Sequence, residues 1–492
     1  MFNRLKRYMA MALTMILLSA LVLPVSVQAK KSKETWPKGP KASKLACESA
    51  IVMELSSGLV LYEYNSDVKH YPASITKLLT ALLCLENSSL SEVVTFSEDA
   101  VYGIEADSSN QGIDIGEQLT MEQCLYCILL ESANEACLGV AEHISGTTKN
   151  FVKLMNERIA SLGLSNTHFS NPNGLHNDNH YTTAYDMAVI AREAMKNSTF
   201  RKITASKTNQ IPKTNKSKEI RYLRNHHQMV NGYDHPEYEY NYCIGGKTGY
   251  TQKAQATLVT FAEKDGMELV CVVMKSVTAE MNPSMNEYTD TLQLLNFGFE
   301  NYQKYEIVSD NQIAEGDNPL FTTYSPFFNP DATNLHLTGG ASVVLPAGTS
   351  LEEATQEITY NDNITLAPGD NVIGTASYTY DGKIVGSTDI IYTLSEESDT
   401  PFLDSAGSVD ELVKELNQEK AQRAKKEKEK FSLSKIFTKK VLFVLGCIFG
   451  TALLVSLGIL LYRRRRKGVR YHWRHRKTYE TFNNRNHKNL RF

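Results

Sequence analysis

The stretch Tyr71-Pro72-Ala73-Ser74-Ile75-Thr76-Lys77-Leu78-Leu79-Thr80 constrains this chain more than any other. Pro72 suits a helix start, because its missing N–H is not needed there. Leu78, Leu79, Leu82 and Leu83 then recur at helical spacing, so the segment predicts a helix with one apolar face. On that helix Ser74 and Lys77, three residues apart, share a side. A serine hydroxyl is a poor nucleophile until a base takes its proton. A lysine amine can be that base only if burial or nearby charge lowers its pKa, by up to ~3–5 units when burial is complete. Ser74 also falls where helix N–H groups favour negative charge. Ser-x-x-Lys is common on ordinary amphipathic helices, so further motifs must carry the case.

The rest of the chain reads as helices between two sets of strands. Ile51–Leu55 and Leu59–Tyr64 flank Ser56-Ser57-Gly58, a hairpin signal. Thr120 and Gln123 make a capping-box signature before an apolar helix over Cys124–Leu130. Asn171-Pro172-Asn173-Gly174 is a turn cluster, and Thr182–Met195 predicts a helix. Residues 201–240 are polar and basic with little periodicity. Thr257–Ala262 and Met267–Met274 are β-rich runs joined through Asp265-Gly266, a hairpin turn, and Thr289–Phe299 predicts a last helix. This order gives an α+β fold with helices packed on an antiparallel sheet. Leu335–Leu337, Ser342–Leu345, Asn371–Tyr380 and Lys383–Leu394 then predict a small separate β-sandwich over residues 305–395.

A chain of 492 residues has room for several domains, and its ends differ from its middle. The net charge is −3, yet the segment from Arg463 onward carries twelve Lys or Arg against one acid, Glu480. The acidic middle argues against a nucleic-acid-binding body. Arg4, Lys6 and Arg7 precede an apolar run from Met9 to Leu23, and Val27-Gln28-Ala29 offers a cleavage site. Residues 1–29 therefore predict a signal peptide. Residues 396–440 read as linker and charged helical stalk, with Ser408 and Glu411 capping its helix. Val441–Tyr462 is long and apolar enough to span a bilayer once, leaving residues 463–492 as a basic cytoplasmic tail and the body outside the cell. Cys124 and Cys127 form a CxxC inside a helix. An odd seven cysteines precede the apolar segment, which suits small core residues better than a disulfide framework.

Three short motifs stand in order: Ser74-Ile75-Thr76-Lys77, Ser132-Ala133-Asn134 and Lys247-Thr248-Gly249. The ordered set is the known pattern of penicillin-binding proteins and class A β-lactamases. With Asn171-Pro172-Asn173-Gly174-Leu175 and Gly246-Lys247-Thr248-Gly249-Tyr250-Thr251, it resembles the low-molecular-mass D-alanyl-D-alanine carboxypeptidases over residues 45–300.

The resemblance implies a β-lactamase/transpeptidase-like catalytic domain over residues 30–304. Ser74 would attack a carbonyl and form an acyl-enzyme, and neutral Lys77 would take its proton. Ser132 would relay a proton to the leaving amine, and Asn134 would orient Lys77 and the substrate amide. The backbone N–H groups of Ser74 and Tyr250 would form the oxyanion hole. Lys247 and Thr248 would receive a substrate carboxylate, and Gly249 would let the strand approach closely. The implied substrate is the D-Ala-D-Ala end of peptidoglycan stem peptides, with β-lactams as inhibitors and neither cofactor nor metal.

His176 and His180 have the spacing of metal ligands but follow a turn rather than lying on a helix. Two positions depart from the family pattern: Gln255, where a glycine is usual, and Glu287, near which many relatives carry an arginine for the substrate carboxylate. No Glu-x-x-Leu-Asn lies between Asn134 and Lys247, which argues against a class A β-lactamase. A D,D-endopeptidase acting on cross-links, or a catalytically weak cell-wall-binding relative, would keep the same motifs.

Overall fold

Apolar, β-branched runs build the central sheet. The computed structural model describes residues 36–277, 285–307, 335–339, 341–361, 367 and 369–394. They belong to one compact unit, Met1–Asn361 with Ala367–Glu396. The expected signal peptide, the Ser408 helix and the Val441–Tyr462 segment lie outside the described residues. Among the described residues no helix is long and apolar enough to cross a membrane.

The sheet contains β1 (Cys47–Glu54), β2 (Val60–Tyr64), β3 (Cys243–Thr251), β4 (Gln255–Lys264) and β5 (Met267–Ser276), in the order β2-β1-β5-β4-β3. Every pairing is antiparallel. The expected hairpins both form; Asp265 and Gly266, with φ of 52° and 77°, make the β4–β5 turn. β1 and β5 are buried almost throughout, as strands covered on both faces must be.

The helices are α1 (Lys77–Asn87), α2 (Met121–Leu130), α3 (Asn134–Ser145), α4 (Thr148–Ser161), α5 (Ala184–Ala194) and α6 (Asn286–Asn301), with shorter turns between them. Thr120 and Gln123 close the expected capping box on α2. Cys84, Cys124, Cys127 and Cys137 are free and fully buried in the helical core. The CxxC is thus packing, as the helical reading required.

Residues 201–240 hold more structure than their polarity suggested. Thr208–Ile211 and Arg221–Arg224 pair as a short antiparallel ladder. Arg221 forms a bidentate pair with the fully buried Glu117 and also donates to the carbonyls of Gln111 and Gly112. A buried pair of this kind persists where its remaining hydrogen-bond capacity is satisfied. Here it anchors the 105–113 loop beside the site.

Beyond α6, β6 (Tyr302–Glu306) pairs with β8 (Ser342–Pro346), and β7 (Leu335–Leu337), β9 (Thr355–Tyr360), β10 (Gly369–Tyr380) and β11 (Lys383–Leu394) form a sheet in the order β7-β11-β10-β9. β6 runs across the expected boundary at residues 304/305. The region expected as a small separate β-sandwich shows, among the described residues, a four-stranded sheet and a two-stranded ladder, and these fall in the same compact unit as the central sheet rather than in a separate one.

Candidate active site

The Ser74 segment differs from the expected helix in one useful way. Residues Ala73–Thr76 form a 3-10 turn, and the α-helix begins only at Lys77. In a 3-10 turn residues i and i+3 eclipse, so Lys77 stands directly over Ser74 with Nζ 2.8 Å from Oγ. Ala73 carries the rare φ of 52°. Such a backbone state costs energy and persists where its surroundings over-determine it.

The surroundings are a chain of hydrogen bonds. The N–H of Ser170 donates to His180 Nδ1 at 3.0 Å. That leaves His180 Nε2 to carry the proton toward Thr76 Oγ1 at 2.9 Å. Thr76 in turn donates to the Ala73 carbonyl at 2.8 Å. Burial lowers the His180 pKa to about 3, so the ring stays neutral as this chain requires. Gly174 (φ 83°) passes so close that any Cβ there would collide with the Ala73 carbonyl. His180 thus braces the Ser74 turn, and His176 packs edge-on against Tyr71.

Lys77 is fully buried. Its Nζ lies 2.8 Å from Ser74 Oγ, 2.8 Å from Asn134 Oδ1 and 2.5 Å from the Asn173 carbonyl. Asn134 Oδ1 and the carbonyl are pure acceptors, whereas a serine hydroxyl can also donate. A neutral amine has two N–H donors and one lone pair, which match these three partners with the lone pair on Ser74. Burial lowers the Lys77 pKa to about 8, against a smaller upward pull from Cys137 and Glu135. The Asn-Pro-Asn-Gly turn carried the signal for Asn173, because a tight turn is what presents its carbonyl inward.

Ser132 sits between α2 and α3 with φ of 62° and is 5% exposed. The Asn134 N–H donates to the Ser109 carbonyl at 2.9 Å, so the anchored 105–113 loop holds this second motif. The third motif runs along β3, which pairs Lys247 with Val259 and Gly249 with Thr257. Lys247 is buried, and its Nζ donates to the Thr248 carbonyl at 3.0 Å. Burial first, and repulsion by Lys77 second, lower its pKa to about 7. The expected lowering of Lys77 is present, with burial as its leading cause.

Gly249 is required by proximity. A Cβ there would collide with Thr257 Oγ1 and lie 2.9 Å from the Ser74 nitrogen and 3.1 Å from the Ile75 nitrogen. Thr257 Oγ1, at 2.8 Å from the Pro72 carbonyl, ties β4 to the Ser74 segment. Ser74, Ser132, Asn134, Thr248, Gly249 and Tyr250 all line one cleft of about 530 Å3. Glu287, 9% exposed, and Gln228, 7% exposed, line it too. Gln255, with φ of 55°, opens β4 opposite Thr251. The expected site residues thus meet in one place. Thr257 and Gln228 join them without a motif to announce them, and Thr76 and His180 support the Ser74 turn from behind.

The profile of the D-alanyl-D-alanine carboxypeptidase family matches residues 36–278. The D-alanyl-D-alanine carboxypeptidase DacF of Bacillus subtilis is 30% identical over 369 residues, covering 72% of this chain and 87% of that protein. The carboxypeptidase DacB2 of Mycobacterium tuberculosis is 33% identical over 258 residues, covering 52% of this chain and 82% of that protein. Among solved structures, penicillin-binding protein 5 from Haemophilus influenzae superposes with a TM-score of 0.56 at 25% identity, covering 73% of this chain and 99% of that one. With these three motifs gathered in one cleft and this likeness along most of its length, the chain belongs to the D-alanyl-D-alanine carboxypeptidase family.

Proposed function

We propose that this chain is a serine-type D-Ala-D-Ala carboxypeptidase that removes the terminal D-alanine from peptidoglycan stem pentapeptides. The observation that carries the proposal is the Lys77 amine, buried between two pure acceptors and the Ser74 hydroxyl. The Ser74 oxygen attacks the scissile carbonyl while its proton passes to Lys77. The backbone N–H groups of Ser74 and Tyr250 stabilise the oxyanion, a type of donor whose loss costs about 10²–10³ in rate. Ser132 hands a proton to the leaving amine, and D-alanine departs. Water then hydrolyses the acyl-enzyme and regenerates Ser74. Asn134 orients Lys77 and the substrate amide, while Lys247 and Thr248 receive a carboxylate. β-Lactams acylate the same serine.

The catalytic body is proposed to be residues 30–304, followed by the β-rich region over residues 305–395. A signal peptide cut after Ala29 and a single span at Val441–Tyr462 would hold the body outside the cell membrane, with the tail inside. The apolar runs at both ends of the chain and their basic flanks support this arrangement.

Purified protein incubated with pentapeptide and with cross-linked muropeptides, followed by mass spectrometry, tests the activity. Loss of one D-alanine is the expected result. Cleavage of cross-links alone would favour a D,D-endopeptidase, and no change in either would favour a cell-wall-binding protein.

A further inference from the structure

A second cavity begins where the Ser74 cleft ends. It measures about 290 Å3 and is lined by Lys69, Lys253, Lys275, Tyr71 and Tyr181, with Asp178 as the one acid among the described residues on its wall. Two chain segments lead into it from the cleft. Thr251 lines the cleft, and Lys253, two residues on, lines the cavity. Ser74 lines the cleft, and Tyr71, three residues earlier, lines the cavity.

The backbone is shaped to present the lysines. Thr251 pairs with Gln255, and the Ala254 N–H donates to Thr251 Oγ1 at 3.0 Å, so the β3–β4 turn holds Lys253 exposed at its tip. Lys275 lies in a bulge. There β4 advances two residues, from Ala256 to Leu258, while β5 advances three, from Val273 to Ser276. Lys275 itself takes the left-handed φ of 53°. A bulge re-aims a side chain at the expense of the ladder, and such a φ persists where the surroundings over-determine it. Lys69 Nζ stands 4.4 Å from the centre of the Tyr181 ring.

The charges do not cancel. Lys275 Nζ is 2.9 Å from Glu48 Oε1. Asp178 Oδ1 has Tyr71 Oη at 3.4 Å and His176 Nε2 at 3.3 Å as its partners. Three ammonium groups thus stand against two carboxylates, Glu48 included. The proposed reaction fixes which part of a substrate comes here. It puts the terminal carboxylate at Lys247 and Thr248 and the scissile carbonyl at the Tyr250 N–H. From its C-terminus backwards, the peptide therefore advances along β3 toward Thr251 and Lys253. Tyr250 to Lys253 spans at most about 10 Å, at ~3.4 Å per extended residue. That is the reach of the one or two residues ahead of D-Ala-D-Ala.

We propose that this cavity is an anion subsite for the upstream part of the stem peptide, in which Lys69, Lys253 and Lys275 receive a carboxylate carried one or two residues before the D-Ala-D-Ala end. The inference rests on the functional reading above and adds a second anchor to its substrate class.

The test uses the full chain and three pentapeptides ending in D-Ala-D-Ala: glutamine at both preceding positions, glutamate at the nearer one, or glutamate at the farther one. D-Alanine release gives kcat/KM for the wild type, Lys253→Gln and the double variant Lys69→Glu, Lys253→Glu. An exposed ion pair is worth up to about fivefold. The wild type is expected to favour one of the glutamate peptides over the neutral one by about fivefold or more at low salt, and to lose most of that preference at about 0.5 M salt. Lys253→Gln should lower the ratio at least by half, and the double variant should push it below one. Acylation by benzylpenicillin, which carries no upstream residue, reports in each variant whether the fold and Ser74 are intact. Equal wild-type rates on all three peptides, or a preference unmoved in both variants, overturns the inference and leaves the carboxypeptidase reading intact. Failure to release D-alanine from any of the three refutes that reading and the inference together.

Discussion

Lowering the pH from about 9 to about 7 is expected to slow acylation of Ser74 roughly tenfold, because it protonates the base. Lys77 is buried, and its pKa lies at about 8 against 10.5 for the free side chain. Only the free amine can take the serine proton. At one unit below its pKa about a tenth of the lysine is neutral, and at one unit above nearly all of it is. An unperturbed lysine would give a neutral fraction below about a thousandth at pH 7, so burial makes the base available in the neutral range. The assay is the second-order rate of fluorescent penicillin acylation from about pH 6 to about pH 10, with folding checked by circular dichroism at each point. Lys77→Arg keeps the positive charge but cannot act as a base. It should fold and acylate about 10²–10⁴ times more slowly at every pH. A wild-type profile that is flat, or that inflects only near the ordinary lysine pKa, would refute the reasoning. So would a folded Lys77→Arg variant that reacts at near wild-type speed.

Gly249→Ala should cost about fivefold to about 150-fold in acylation rate, if the ~1–3 kcal/mol of overpacking falls on the acylating geometry, since its Cβ would press on Thr257 and the Ser74 nitrogen; a rate within twofold of wild type would contradict that packing. His180→Leu, which removes the donor to Thr76, is expected to lower kcat for peptide hydrolysis more than it raises KM, while His180→Gln restores part of the loss; equal effects of the two variants would remove the hydrogen bond from the account. Stability should fall in acid below about pH 6.5, because unfolded histidines bind a proton there while His180 and His227, each held near 3 by burial, do not. The slope is up to ~1.4 kcal/mol per pH unit per histidine, read by urea denaturation at several pH values, and a stability unchanged from about pH 7 to about pH 4 would argue against it.

Much of this architecture was legible because local chemistry and tertiary packing agree. Asp265-Gly266 adopts the positive φ values that a tight hairpin needs. Thr120 and Gln123 cap α2 as their spacing demands. Ser74 and Lys77 met as expected, but through a 3-10 turn rather than the α-helix that Pro72 and the leucine spacing suggested. Periodicity cannot distinguish the two over four residues, since both place i and i+3 together. The ladder of Thr208–Ile211 with Arg221–Arg224 was not legible, because Arg221 is held by the buried Glu117, far away in sequence. His180 invited a metal reading from its spacing to His176, whereas its contacts to Ser170 and Thr76 come only with the tertiary fold. Glu287 stood out against the family pattern, but the orphaned oxygen of Gln228 is a fact of packing.

The most direct test of the central claim is intact-protein mass spectrometry after incubation with benzylpenicillin, followed by proteolysis to locate the adduct. The wild type should gain one penicilloyl group, carried on the peptide containing Ser74, and Ser74→Ala should gain none while keeping its fold. Undiminished labelling of Ser74→Ala, or an adduct on any other residue of the wild type, would contradict the assignment of Ser74 as the nucleophile.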